Sequence, residues 1–473
     1  VISTNKIDEF LIDFSLLKEV PIDFCKKNRV LPVSIEDKNL KLICNKESDL
    51  HVFEEIKQYI DFNQVKKVNV SEVDMDHYME MIYPQKLESI ERLFSSKEVD
   101  GEILVDSVIV EAIKSNASDI HIIPKEGFFY IKYRIDGVLY SRYSFSKEKW
   151  NTVCIRIKVM SELDISETRI SQDGSFEREF CNKKLDFRVS CHPVMFGESI
   201  VIRILNGSEQ FFLGSIDYSE KNKQNMEKFI DIPDGLIIFT GPTGSGKTTS
   251  LYSILSSINH ESNNIITLED PIEFKIPFAR QTDINKYPKM DYINGIKSIL
   301  RQDPDVILIG EIRDEKTANM AIRAAMTGHK VFTTLHTTNI AGVVDRLMEF
   351  NIDKTLIFQY LKGIVAQRLV RKLCSCKTEV KNCYSGQLRK HIDCDYFFKS
   401  NGCEKCEGIG FSGRTVVAES VFLKPNDMQE FVNNKTLKKE IFESMCVDGI
   451  HKVKNGITSY EELKRCIDMS EYE

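Results

Sequence analysis

The sequence predicts an α/β protein in which an open sheet carries a phosphate-binding loop, preceded by an α+β domain and a small α/β domain. Three observations carry that expectation. First, an apolar run, Leu236 Ile237 Ile238 Phe239, leads into GPTGSGKTT (241–249), and Leu251, Ile254, Leu255 and Ile258 follow at helical spacing. That order reads as strand, glycine loop, helix. Second, the apolar runs 265–268, 306–309 and 331–335 each end in polar residues, as strands of an open α/β sheet do. Third, Phe129, Ile131, Tyr133 and Ile135 alternate with polar residues ahead of Asp136-Gly137, the pattern of a hairpin.

At 473 residues the chain accommodates about three domains of ordinary size. With 64 basic against 71 acidic residues the formal charge is −7, which gives no global pull toward nucleic acid or anionic lipid. No apolar stretch approaches the ~18 residues of a membrane helix, and the start of the sequence has no signal-type apolar segment. A cytoplasmic protein is expected, with any membrane role exercised through a partner. The 13 cysteines are an odd number beside a nucleotide-type loop, which argues against a disulfide framework.

Taken in order, residues 1–85 hold short apolar pieces, with Val30–Val33 and Leu40–Cys44 as strand candidates and no catalytic cluster. A docking domain is expected there, followed by a charged linker at 86–101. A second, α+β domain is expected over 102–214. Its helix carries Val105, Val108, Ile109, Ala112 and Ile113 on one face, and its later strands are Leu185–Ser190, entered after an Asp173-Gly174 turn, and Ser199–Leu205. Arg134, Arg156, Arg169, Arg188 and Arg203 recur on this domain. Taken singly they read as solvated surface charges; beside a phosphate loop some read as arginine fingers.

A third domain is expected over 215–473, built around the phosphate loop. Gly241, Pro242, Thr243, Gly244, Ser245, Gly246, Lys247, Thr248 and Thr249 match the phosphate-loop pattern, whose backbone N–H groups and helix N-terminus suit polyphosphate. Lys247 would reach the β- and γ-phosphates of a nucleoside triphosphate and the Thr248 hydroxyl would ligate Mg²⁺. Phosphoryl transfer also needs acids that hold the metal side and orient a water. Glu311 is assigned to the first role and Glu269 to the second, and spacing alone allows the reverse. Strand-end acids also serve as helix N-caps. His336 would sense the γ-phosphate or bond the acids, or else be a satisfied core histidine.

Beyond these strands, Ile340, Val343, Val344 and Leu347 predict one helix, and Ile357, Tyr360, Leu361 and Ile364 another. Within 370–412, Cys374 and Cys376 precede Cys403 and Cys406, a pairing that suits a structural Cys₄ zinc site or, failing that, a set of reduced thiols. Cys383, His391 and Cys394 are alternative ligands.

Several of these stretches together resemble the secretion and pilus-assembly ATPase superfamily, namely the type II secretion and type IV pilus extension motors. GPTGSGKTT resembles its Walker A loop, ITLEDPIE (266–273) its aspartate box, LRQDPDVILIGEIRD (300–314) its Walker B segment and TGHKVFTTLHTTN (327–339) its histidine box. ASDIHI (117–122), YRIDGVL (133–139) and QDGSFE (172–177) resemble its second N-terminal domain. VAQRLVRKLC (365–374) with the cysteine pairs resembles its zinc module, and NGITSYEEL (455–463) its C-terminal end.

The resemblance implies a RecA-like ATPase domain preceded by a PAS-like second N-terminal domain, and a homohexamer that hydrolyses ATP. It also implies Arg134, Arg169 and Arg188 as fingers. The motor would drive an inner-membrane platform protein, with the first domain docking other assembly components, on the cytoplasmic face of the membrane. The long N-terminal region and the cysteine module favour extension or secretion over retraction. Ser175 stands where relatives carry an arginine. Residues 1–85 contain no glycine, so the cyclic di-GMP binding of some relatives, which uses a leucine- and glycine-patterned repeat, is not expected. The alternatives are a nucleic-acid translocase on a RecA-like core, which the acidic balance disfavours, and a ring that binds ATP without hydrolysing it.

Overall fold

The computed structural model describes residues 20, 22–36, 38–44, 50–70, 75, 101–180, 183–205, 212–287, 290–381, 396–434 and 442–470. The chain divides into two units, one of Val1–Tyr133, Leu139–Phe176 and Phe187–Arg203, the other of Arg134–Val138, Glu177–Asp186 and Ile204–Glu473. Most of the expected linker, 86–100, lies outside the described residues, as do Cys383, His391 and Cys394.

Near the start, helix α1 (Ile22–Asn28) precedes strands β1 (Val30–Glu36) and β2 (Asn39–Cys44), and α2 (Leu50–Ile56) precedes β3 (Gln64–Asn69). β1 and β2 pair antiparallel. β2 and β3 pair parallel, which requires the crossover that α2 supplies. Val30, Leu31, Leu40, Leu42 and Ile43 are buried against Phe53 and Ile56, so both strand candidates of this region are strands of one small core.

The next described elements are α3 (Gly101–Lys114), β4 (Ala117–Pro124), β5 (Phe128–Ile135), β6 (Val138–Ser146), α4 (Trp150–Met160), β7 (Gln172–Phe180), β8 (Lys183–Val194) and β9 (Gly197–Leu205). The strands form a sheet in the order β6-β5-β4-β9-β8-β7. Phe129, Ile131, Tyr133 and Ile135 are buried on one face, and Asp136 and Gly137 take φ of 49° and 83°, so the expected hairpin forms. Two glycine expectations need correction. Gly101 starts α3 instead of ending a linker, and a Cβ there would lie 2.8 Å from Thr152 Cγ2, so the glycine serves close packing. Asp173-Gly174 lies inside β7, not in a turn. A Cβ on Gly174 would lie 2.4 Å from the Ser161 carbonyl oxygen, so close backbone approach selects glycine there.

The ATPase unit is built on α5 (Glu220–Asp231), β10 (Gly235–Thr240), α6 (Lys247–Ser257), β11 (Ile265–Glu269), β12 (Arg280–Asp283), α7 (Tyr292–Ile299), β13 (Val306–Ile309), α8 (Glu315–Met326), β14 (Lys330–Leu335), α9 (Ile340–Glu349), α10 (Lys354–Tyr360) and β15 (Leu361–Leu373). The hairpin β16 (Thr378–Lys381) and β17 (Tyr396–Lys399), strand β18 (Phe411–Phe422), and helices α11 (Pro425–Asn434), α12 (Met445–Lys454) and α13 (Tyr460–Cys466) complete it. The main sheet runs β12-β11-β13-β14-β10-β15-β18. It is parallel except at its edge, where β18 pairs antiparallel with β15. Every residue of β10, β11, β13 and β14 is buried, which is why these strands read as unbroken apolar runs.

One expected helix is overturned. Ile357 and Tyr360 lie in α10, but Leu361 and Ile364 begin a thirteen-residue strand. A Cβ on Gly363 would stand 2.1 Å from the Phe229 ring, so α5 packs flat on this strand at the glycine.

Candidate functional site

The loop between β10 and α6 takes its shape from its glycines. Gly241, Gly244 and Gly246 have φ of 148°, 77° and 86°, a region that other residues enter only with strain. At Gly241 a Cβ would also lie 2.5 Å from the Gln367 carbonyl oxygen. Gly246 caps α6, so the first residue of the helix is Lys247 and the helix N-terminus faces the loop.

Lys247 is 9% exposed, and its Nζ donates to the carbonyl oxygens of Gly241 at 2.8 Å and Pro242 at 3.0 Å. Burial pulls its pKa down to about 8; Glu311 opposes that shift and Arg368 adds to it. The cation therefore lies folded over its own loop, near an acid, in the place where a polyphosphate chain would give it a stronger partner.

The acids stand at the carboxyl ends of neighbouring strands, on the side of the sheet where open α/β folds place their chemistry. Glu269 closes β11 and is 4% exposed. Thr267 Oγ1 donates to its Oε1 at 2.6 Å, Gln281 Nε2 to the same oxygen at 3.1 Å, and the Tyr252 hydroxyl to its Oε2. Burial pushes its carboxyl upward despite these donors. Glu311, just past β13, is more open: it pairs with Arg313, and its Oε2 lies 3.5 Å from His336 Nε2. Arg313 reaches Asp270 Oδ2 at 3.4 Å.

Thus Lys247, Glu311 and His336 share one locality. His336 is about half exposed, so the satisfied-core reading of that histidine is overturned. Asp314 is a helix N-cap, accepting from Thr317 N at 2.8 Å.

The arginines have their own settings. Arg134 NH1 donates to the Gly137 carbonyl oxygen at 3.1 Å. Arg169 is highly exposed and is held by Glu167, whose carboxylate accepts from its NH2 at 2.8 Å and its backbone N at 2.7 Å. Arg188 lies within β8 and is partly buried.

Sequence reasoning missed Gln367. It sits on β15 beside the loop, wholly buried, with Nε2 donating to the Ser245 carbonyl oxygen at 2.8 Å and Oε1 accepting from Ser250 Oγ at 3.0 Å. No local pattern marks it, because its partners lie more than a hundred residues away.

Cys374, Cys376, Cys403 and Cys406 converge, with all four sulfurs within 4.8 Å of one another. Adjacent separations are 3.8 Å (Cys374 to Cys403), 3.9 Å (Cys376 to Cys406) and 3.7 Å (Cys403 to Cys406). Four thiolates around a tetrahedral zinc at its usual bond length are about 3.8 Å apart. The backbone N–H groups of Cys403 and Gly410 donate to Cys406 Sγ at 3.3 and 3.2 Å, which supports a thiolate there. The backbone of residue 376 pulls the Cys374 thiol down to about 6, while burial pushes the Cys376 thiol up to about 12. Cys374-Ser375-Cys376 is one residue shorter than a C-x-x-C pair, yet its two sulfurs still meet those of Cys403 and Cys406.

Comparison with known proteins adds relatives to this geometry. The family model described as type II/IV secretion system protein matches residues 96–465, and that of the MshEN domain matches residues 5–89. The chain is 39% identical over 377 residues to the type II secretion system ATPase E of Vibrio cholerae, covering 76% of this chain and 74% of that protein. It is 34% identical over 496 residues to the type IV pilus assembly ATPase PilB of Myxococcus xanthus, covering 97% of this chain and 87% of that one. In fold it is similar to the ATPase DotB of Legionella pneumophila, with a TM-score of 0.58 at 21% identity over 78% of this chain and 96% of that chain.

Proposed function

The chain belongs to the type II/IV secretion system protein family, and from that premise we propose that it is an ATP-hydrolysing motor that assembles a type IV pilus or a type II secretion pseudopilus. The pilus form is favoured by the coverage of the pilus-assembly relative, which takes in the N-terminal region as well. The higher identity to the secretion ATPase supports the second form. Neither relative is a nucleic-acid translocase by name, and the acidic balance of the chain agrees.

The observation that carries the reading is the meeting of the glycine loop, Lys247, Glu311 and His336 at the carboxyl ends of a parallel sheet. The loop from Gly241 through Pro242, Thr243, Gly244, Ser245, Gly246 and Lys247 to Thr248 and Thr249 cradles the phosphates of ATP with its N–H groups. Lys247 exchanges its two carbonyl partners for phosphate oxygens. Thr248 holds Mg²⁺, a cation that supplies charge neutralisation at the β- and γ-phosphates. Glu311 belongs to the metal-side network, and His336 reads the γ-phosphate through it. Glu269 orients water, its carboxylate fixed by three donors.

Arg134, Arg169 and Arg188 stabilise transferring charge as fingers. The Cys₄ cluster holds a structural zinc, whose chemistry is to cross-link the two cysteine segments. A homohexameric ring acts on an inner-membrane platform protein, with residues 1–85 docking further components at the cytoplasmic face. Among the described residues no helix is long and apolar enough to cross a membrane.

Replacing Glu311 tests hydrolysis against mere ATP-dependent ring holding. Glu311→Gln is expected to bind ATP near wild-type affinity and to lose turnover and filament assembly together. Normal assembly by that variant would favour a non-hydrolysing scaffold.

A further inference from the structure

The segment that leads into α5 is fastened at three consecutive residues. Asp217 accepts from Thr415 Oγ1 at 3.1 Å through its carboxylate, and from Lys452 Nζ at 2.7 Å through its carbonyl. Ser219 Oγ donates to Glu443 at 2.8 Å. Between them Tyr218, 2% exposed, sends its hydroxyl under the glycine loop, 2.6 Å from Ser250 Oγ and 3.1 Å from Gln367 Oε1. Burial raises the phenol far above its ordinary pKa, so it stays a neutral donor.

Donors and acceptors then line up in one direction. The Tyr218 hydroxyl donates to Ser250 Oγ, Ser250 Oγ donates to Gln367 Oε1, and Gln367 Nε2 donates to the Ser245 carbonyl oxygen. The last contact has a consequence for the loop. A trans peptide is planar, so its C=O and N–H point in opposite directions. Drawing the Ser245 carbonyl toward β15 turns the N–H of Gly246 the other way, into the cradle. The approach is tight as well: a Cβ on Gly246 would lie 3.2 Å from Gln367 Nε2.

We propose that Tyr218, Ser250 and Gln367 form a buried positioning relay that aims the Gly246 N–H at bound phosphate and couples the fastened segment 217–219 to occupancy of the loop. The relay rests on the reading of the loop as a nucleotide site. Phosphate on that N–H reinforces the Ser245 orientation, tightening the contacts down to Tyr218, and by linkage a change at Tyr218 alters nucleotide affinity by an equal factor.

The test uses the full chain, a non-hydrolysable ATP analogue with Mg²⁺, and a double-mutant cycle on affinity with thermal melting of each nucleotide-free variant. Tyr218→Phe is expected to weaken binding about fivefold, the worth of one net hydrogen bond. Gln367→Leu is expected to weaken it more, and Tyr218→Phe to add nothing in the Gln367→Leu background. Losses that multiply, or Tyr218→Phe binding at wild-type affinity whatever its melting temperature, would overturn the relay and leave a packing role. Lys247→Ala separates the two readings: if the wild-type chain binds no analogue, or binds it as well without Lys247, the nucleotide site itself fails.

Discussion

Lys247 shows how one side chain stores the response of the site. Burial holds it near a pKa of 8, against an ordinary lysine value of 10.5, and it spends the nucleotide-free state on two loop carbonyls. A polyphosphate beside it favours the charged form, so binding raises its pKa. Affinity from this contact is therefore complete below about pH 8 and declines as pH rises through the pKa of the bound state. Near pH 8.5, calorimetric titration of ATP in buffers of different ionisation enthalpy is expected to reveal net proton uptake in the wild-type chain and less in Lys247→Arg. Equal proton exchange in both would remove Lys247 from the phosphate contact. The same shift acts on stability in the opposite sense: between pH 8 and 10.5 the unfolded chain retains a proton that the folded one has lost, so this group's contribution rises with pH.

At the scale of elements, the cysteine segments join distant stretches of chain through four sulfurs at zinc-like spacing. Metal analysis of purified protein is expected to find about one zinc per chain. Cys406→Ser should lower both the zinc content and the melting temperature, since metal bound only to the folded state stabilises it. A metal-free wild-type chain of unchanged stability would leave four reduced thiols.

The same scale explains what was legible in the sequence. β10, β11, β13 and β14 are buried on both faces, so each announces itself as an apolar run, and the loop motif is local. The start of β15 reads as helix because Leu361 and Ile364 continue the helical spacing of Ile357 and Tyr360, whereas the glycine that fits Phe229 on α5 is selected by a contact from 134 residues away in sequence. Gln367 and Tyr218 were invisible for the same reason, being 149 residues apart. Asp173-Gly174 has turn composition, yet its glycine answers to the Ser161 backbone.

For the whole molecule, the proposal is that hydrolysis at one site moves domains around a ring, and Arg169 bears on it directly. Its guanidinium is exposed and held by Glu167 two residues away, a pairing of little strength in water that a more highly charged partner can displace. Arg169→Ala is expected to lower turnover by on the order of 10³-fold while changing nucleotide affinity little, as transition-state stabilisation requires. Equal losses in both would make it a binding residue. The claim beneath every scale is that the chain spends ATP at the 241–249 loop. Steady-state phosphate release by the purified full-length chain with Mg²⁺ and ATP, beside a folded Lys247→Ala variant, tests it most directly: the account predicts turnover that the variant loses, and equal release by both, or none by either, would contradict it.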